Sequence, residues 1–183
     1  ALLTGRAYDD LDGAEDDHAR YRSLLRGEKP EVRHFEAFPD EVACIAEIME
    51  AVRECDGVYK NICLALRTRE DVNRYQGALA GRGFPVLVLD RDTIDDRAQS
   101  GLRLATMHRV KGLEFEYMIV GGMNAETMPL RYALHAANDE HSRAQVETME
   151  RSLLHVAVTR ARKRAYVTGW GEPSPILETE TPI

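Results

Sequence analysis

Along the chain, short apolar runs alternate with longer stretches in which apolar residues recur every three or four positions. Ile62–Leu66 (ICLAL), Val86–Leu89 (VLVL), Leu102–Ala105, Tyr117–Val120 and Ala165–Thr168 have the length and composition of strands, and Val32–Phe35 is a shorter candidate. Pro39–Cys55 places Val42, Ile45, Ile48, Met49 and Val52 at helical spacing, with Pro39 and Asp40 suited to a first turn. Thr68 caps a second helix, Arg69–Ala80, with Val72, Tyr75 and Leu79 on one face and Gly81–Gly83 as its stop. Arg131–Ala137 reads as a short helix. Asp139–Arg162 reads as a long one with Val146, Met149, Leu153, Leu154 and Ala157 inward. Between these lie turns or loops at Asp56–Tyr59, Arg91–Ser100 and Met123–Leu130. The acidic stretch Ala1–Asp17 suits a loop or the end of a helix begun upstream; His18–Leu25 could form one or two helical turns, and Arg26–Pro30 a turn. Gly169–Ile183, with three prolines, is expected to fray.

Strands that are apolar throughout and alternate with helices predict an α/β fold: a mostly parallel sheet covered by helices on both faces. At 183 residues the chain suits one domain with a substantial core. No apolar run approaches the roughly 20 residues of a membrane helix, and no signal-peptide pattern opens the chain. It begins in mid-pattern without Met, as a fragment or processed form would. Cys44, Cys55 and Cys63 show no disulfide or metal-ligand spacing and read as buried reduced thiols of a cytoplasmic protein.

The net charge of −7 argues against a uniformly basic nucleic-acid surface. Acids gather in Tyr8–Asp17, Asp90–Asp96 and Asn138–Glu140, and cations in Arg151–Arg164, which leaves room for a local anion site.

Several kinds of chemistry find no support. There is no phosphate-cradling G-x-x-x-x-G-K-[ST], no G-x-G-x-x-G after a strand, no G-x-S-x-G elbow and no H-E-x-x-H. No His or Cys sits at metal spacing, so no metal site is expected. Two polar constellations remain. Thr106–Phe115 (TMHRVKGLEF) offers Thr106, His108, Arg109 and Lys111 as donors, Gly112 for close backbone approach, and Glu114 as an acceptor for a ribose hydroxyl or a cation. A solvated strand-to-helix turn with a helix-stop glycine would explain the same residues. Glu150–Arg162 (ERSLLHVAVTRAR) offers arginines suited to triphosphate recognition, or simply a basic helix end. On a helix Arg160 and Arg162 point roughly 200° apart, so one can serve a site while the other is solvated. Trp170, between two glycines, suits packing on the sheet edge better than base stacking.

Together the two constellations resemble superfamily 1 DNA helicases of the UvrD/Rep type. TMHRVKGLEFEYMIVGG resembles that family's T-x-H-x-x-K-G-L-E-F, usually called motif V, and ERSLLHVAVTRARKRAYVT resembles motif VI, with its V-A-x-T-R-A core. Leu64–Asp71 resembles the strand that ends in Y-R-T-N. The likeness runs from about Val32 to Leu177.

The resemblance implies the second of two RecA-like domains, called 2A, lacking the P-loop that belongs to the first. Residues 1–31 would be a lead-in, 32–177 the domain itself and 178–183 a flexible tail. ATP and Mg²⁺ would be held mainly by the missing N-terminal RecA-like domain, the partner of this one. Single-stranded DNA would be the other partner, and the fragment would be a monomer or weak oligomer. Residue by residue, the resemblance makes Arg160 the arginine that reaches the γ-phosphate. It places Gly112 and Glu114 near the nucleotide, sets Thr106 and His108 toward DNA, and weakly sets Arg67 toward DNA or a structural acid. His155 and Arg69 depart from the family's usual Tyr and Asn. Only about a dozen residues join Leu89 to Leu102, where many relatives insert an accessory domain called 2B. The implied function is ATP-driven helicase or translocase activity, absent from the isolated chain. A non-catalytic helicase-like module for DNA or protein docking is the alternative, and a stand-alone nucleotide-binding protein a weaker third.

Overall fold

The computed structural model describes residues 8, 9, 15, 16, 29–96 and 98–177. His18–Leu25, most of Arg26–Pro30 and the 178–183 tail lie outside them. Within Ala1–Asp17, Tyr8–Asp9 (β1) and Glu15–Asp16 (β2) pair antiparallel, where the sequence suggested a loop or helix end.

The remaining elements are β3 (Glu31–Phe35), α1 (Phe38–Asp56), β4 (Ile62–Leu66), α2 (Arg69–Gly81), β5 (Val86–Val88), β6 (Leu102–Thr106), β7 (Phe115–Val120), α3 (Arg131–Ala136), α4 (Glu140–Val158) and β8 (Ala161–Trp170). A sheet of order β3-β8-β7-β4-β6-β5 forms from them, and every pairing in it is parallel. β4 is buried at every residue, as expected of a central parallel strand.

Local chemistry sets the helix ends. Pro39 suits the first turn of α1, and Gly57, with φ 72°, ends it by donating its N–H to the Arg53 carbonyl at 2.7 Å. Thr68 Oγ1 caps α2 by accepting from the Asp71 N–H at 3.0 Å. Asp139 caps α4 through the Ser142 N–H at 2.7 Å.

Helices cover both faces, as predicted. α1 and α2 bury Ile45, Met49, Val72 and Leu79 against Leu64, Leu104 and Ile119. On the other face Leu154 and Ala157 of α4 join Met118, Val120, Met107 and Val110.

Cys44 and Cys63 are buried as expected, but Cys55, in the last turn of α1, is exposed, and three larger expectations change. First, the predicted long helix stops at Val158, and Arg162 lies in β8. The reason is a ladder: the Arg160 carbonyl accepts from the Phe115 N–H at 3.0 Å and Ala161 pairs with Phe115, so β7 offers this backbone partners that a further helical turn would forgo. Second, Met149 is 66% exposed and not in the core, because α4 first reaches buried surface at Glu150. Third, 171–177 does not fray. Pro173 bridges Asn124, Ile176 is buried, and the buried Ser174 hydroxyl donates to the Met128 carbonyl at 2.5 Å.

The connection from β6 to β7 matters most for the site. Their strands are separated by β4. β6 ends at Thr106, level with Leu66 at the end of β4, whereas Tyr117 is level with Ile62 at its start. Residues 107–114 therefore travel the length of the sheet, roughly 13 Å or more, without a helix. Met107 and Val110 anchor this crossing in the core.

Candidate functional site

The crossing divides the polar residues of Thr106–Phe115 between two edges of the sheet. Thr106 and His108 stay where the strands end. Gly112 and Glu114 arrive where the strands begin.

At the starting edge, Gly112 adopts φ 83°, a conformation costly for other residues, with open space where a side chain would stand. Gly112–Glu116, Asn61 and Arg162 line a cleft of about 370 Å³. Arg162 donates to Glu114 Oε2 from Nε at 2.9 Å and from Nη2 at 2.5 Å. The two side chains are 63% and 54% exposed, and the pairing holds the Arg162 guanidinium above its ordinary pKa. Arg160 enters the same edge through its backbone bond to Phe115. Its side chain lies back on the end of α4, donating to the Val156 carbonyl at 3.2 Å and toward Thr159 Oγ1 at 3.5 Å. Carbonyls at a helix C-terminus attract a cation in just this way. Beside them Lys163 pairs with Asp56 at 3.2 Å and Glu116 at 3.6 Å.

Because β8 has already begun at Ala161, the helical angle between Arg160 and Arg162 does not apply. Both cations stand at the starting edge, and Arg162 touches Glu114 directly. The sequence reading missed Arg162 for this reason. The clue available was the alternation Arg162, Arg164, Tyr166 leading into a strand.

The opposite edge is built differently. Arg67, just past β4, forms a two-pronged pair with Glu150 of α4: Nε to Oε2 at 2.7 Å and Nη2 to Oε1 at 2.6 Å. Only 12% and 7% of these side chains is exposed. His108 stands near the pair, its pKa lowered first by burial and then by the Arg67 charge, with Glu150 opposing. The Thr106 carbonyl and hydroxyl both accept from the Arg109 N–H, at 2.9 and 3.3 Å. Glu41 of α1, fully buried, accepts from the Gly122 N–H at 2.9 Å, the Thr168 hydroxyl at 2.7 Å and the Tyr75 hydroxyl. Burial and the Glu41 charge push the Tyr75 phenol well above its ordinary pKa. Trp170 packs edge-on against Phe38, with the Arg74 guanidinium 4.0 Å from the Phe38 ring centre and 4.6 Å from that of Trp170.

The 89–102 connection is held from below by two arginines. Arg103, wholly buried in β6, binds Asp95 at 2.9 Å and the carbonyls of Gly101 and Asp96 at 2.8 Å. Arg109 binds the carbonyls of Asp90 at 2.7 Å and Thr93 at 2.8 Å.

Among the described residues there is no His/Cys/Asp/Glu cluster that could hold a metal, and no helix long and apolar enough to cross a membrane.

The sequence and the fold are both similar to those of known proteins. Residues 91–170 match the family described as the UvrD-like helicase C-terminal domain. That part of the chain is similar to this family. Relatives include the ATP-dependent DNA helicase PcrA of Staphylococcus epidermidis, 38% identical over 82 residues, and the ATP-dependent DNA helicase UvrD1 of Mycobacterium tuberculosis, 34% identical over 93 residues. A probable DNA helicase II homolog of Mycoplasma genitalium is 32% identical over 82 residues. The aligned parts are 45% to 48% of this chain but only 10% to 11% of those proteins. A solved C-terminal domain of a possible DNA helicase from Lactobacillus plantarum WCFS1 shares the fold at 20% identity, with a TM-score of 0.59 over 83% of this chain and 80% of that one. The fold is thus the RecA-like α/β arrangement of helicase C-terminal domains.

Proposed function

We propose that this chain is the C-terminal motor domain of an ATP-dependent DNA helicase or translocase. It completes a nucleotide site on an N-terminal RecA-like domain and contacts single-stranded DNA with its opposite edge. One observation supports this most: two segments distant in sequence bring Gly112, Glu114, Arg160 and Arg162 to one edge, while the segment that carries Gly112 and Glu114 leaves Thr106 and His108 at the other.

ATP fits the first edge through its donor set. Arg160 and Arg162 supply positive charge for phosphate oxygens, Glu114 accepts from a ribose hydroxyl, and the open space at Gly112 admits close approach. The described residues offer no P-loop cradle, so phosphates and Mg²⁺ fall to the partner domain, and the isolated chain is inactive. Arg160 must leave the carbonyls of α4 to reach a phosphate, and Arg162 must loosen from Glu114. Arg162 is exposed and Arg160 half-buried, and neither is closed off from water, so both exchange partners at small energetic cost. Residues 32–177 form the domain, and the short, arginine-held 90–101 connection takes the place of an accessory insertion.

The test uses the full-length protein. Arg160→Ala removes ATP hydrolysis stimulated by single-stranded DNA and leaves the fold intact by circular dichroism. Near wild-type turnover would refute the role.

A further inference from the structure

We propose that Arg67 is a positioning residue: paired with Glu150, it locks the end of β4 to α4, the helix that leads directly into Arg160. This inference rests on the functional reading above, under which the resemblance leaves Arg67 between a DNA contact and a structural acid.

The geometry favours a lock over a DNA contact. The fork formed by Nε and Nη2, which would grip a phosphate, is filled by both oxygens of Glu150. The pair joins residues 83 positions apart and is largely shielded from water. Removing one partner strands the other charge in a poorly solvated site, so the pair resists opening. The exposed Arg162–Glu114 pair at the other edge has no such barrier.

The position of Glu150 gives the lock its consequence. From Glu150, α4 runs eight residues to Val158, about 12 Å at the helical rise. Its inward residues Leu154 and Ala157 are packed into the core. Immediately beyond, Arg160 is tied to Phe115. The helix thus spans the sheet from the edge with His108 to the edge with Glu114. Fixing it at Glu150 fixes the platform from which Arg160 acts. His108 lies in the field of both members of the pair, so the same lock also sets its surroundings.

The full-length protein is assayed with oligo(dT) as the DNA probe. Arg67→Gln and Glu150→Gln are compared with the exchanged pair Arg67→Glu/Glu150→Arg. A lock lowers the kcat of DNA-stimulated ATP hydrolysis about tenfold or more in both single variants, because each misplaces a group acting in the transition state. The Kd for oligo(dT) stays within about twofold and its salt dependence is unchanged, since no phosphate contact is lost. The exchanged pair recovers most of the kcat. Where the single variants are too unstable to purify, the exchanged pair decides: recovery supports the lock, and a folded but slow protein overturns it. Weaker oligo(dT) binding with a shallower salt slope in Arg67→Gln alone makes Arg67 a DNA contact and overturns the proposal. So does unchanged kcat in both single variants. If the wild-type protein shows no DNA-stimulated hydrolysis, the functional reading fails instead. The lock is then judged by the melting temperatures of the three variants: two losses that the exchanged pair cancels uphold it, and additive losses overturn it.

Discussion

The two edges of the sheet use the same kinds of residue in opposite ways. Where the strands end, charges are buried and satisfied: Glu41 with three donors and Arg67 against Glu150. Where the strands begin, Glu114 and Arg162 pair in open solvent, and the exposed Lys163 pairs with the more shielded Asp56. Removing a buried partner leaves an unpaired group that water cannot reach, whereas an exposed pair exchanges partners freely. One edge is therefore built to hold its shape and the other to change its contacts. On the function proposed above, the first edge would keep a DNA-facing surface while the second receives and releases a nucleotide.

The comparison breaks most visibly at Arg160. Its replacement by Ala is expected to lower DNA-stimulated ATP turnover by about a thousandfold or more, the usual contribution of such an arginine, with little change in melting temperature. Steady-state hydrolysis and a thermal melt on the same sample check both halves of that statement. Glu41→Gln should show the opposite profile. It keeps the shape but cannot accept from all three donors, which costs about 3 kcal/mol and lowers Tm by roughly 6–12 °C in a chain of this size. Calorimetry reads this, and a shift below about 2 °C would show that the buried edge is not held as described.

Arg162→Ala sharpens the contrast further. Its pair with Glu114 is exposed, so the melting temperature should not move measurably, whereas the KM for ATP in the full-length protein should rise several-fold. Loss of stability without change in KM would place the pair in the architecture and not in the site.

The smallest effect concerns pH. Burial and Arg67 lower the His108 pKa, so the folded protein favours its neutral form. Below the unfolded value of about 6.5 the unfolded chain binds the proton first. The stability contributed is thus complete above that pH and lost as pH falls toward the lower folded value. Melts between pH 7.5 and 5, or about that range, should decline less steeply in His108→Gln than in wild type. Parallel curves would mean that His108 is not shielded.

Much of the architecture was legible in the sequence because it rests on local pattern. The run ICLAL reads as a buried strand and is one, VLVL reads as another but forms the half-buried edge strand β5 with Leu89 just beyond it, and Thr68 and Gly81–Gly83 marked the ends of α2. The failures share a different cause. Leu102–Ala105 read as an apolar run, yet Arg103 is wholly buried there, because Asp95 and two carbonyls of the irregular loop just before it fold back onto its guanidinium. Met149 carried the right spacing for the core but precedes the point where α4 reaches the sheet. Arg160–Arg162 continued a helical pattern until β7 offered a ladder.

The sequence by itself determined the order of strands and helices, the parallel α/β class and the two polar constellations, since these depend on periodicity, capping and residue type. Tertiary structure alone decided which polar residues share an edge. The crossing at 107–114 sends Glu114 away from His108, and β8 draws Arg162 onto Glu114. The fold of the chain also closes Arg67 on Glu150 across 83 positions. Those choices follow from strand register and from the cost of burying a charge alone, and neither is written in any local stretch of the chain.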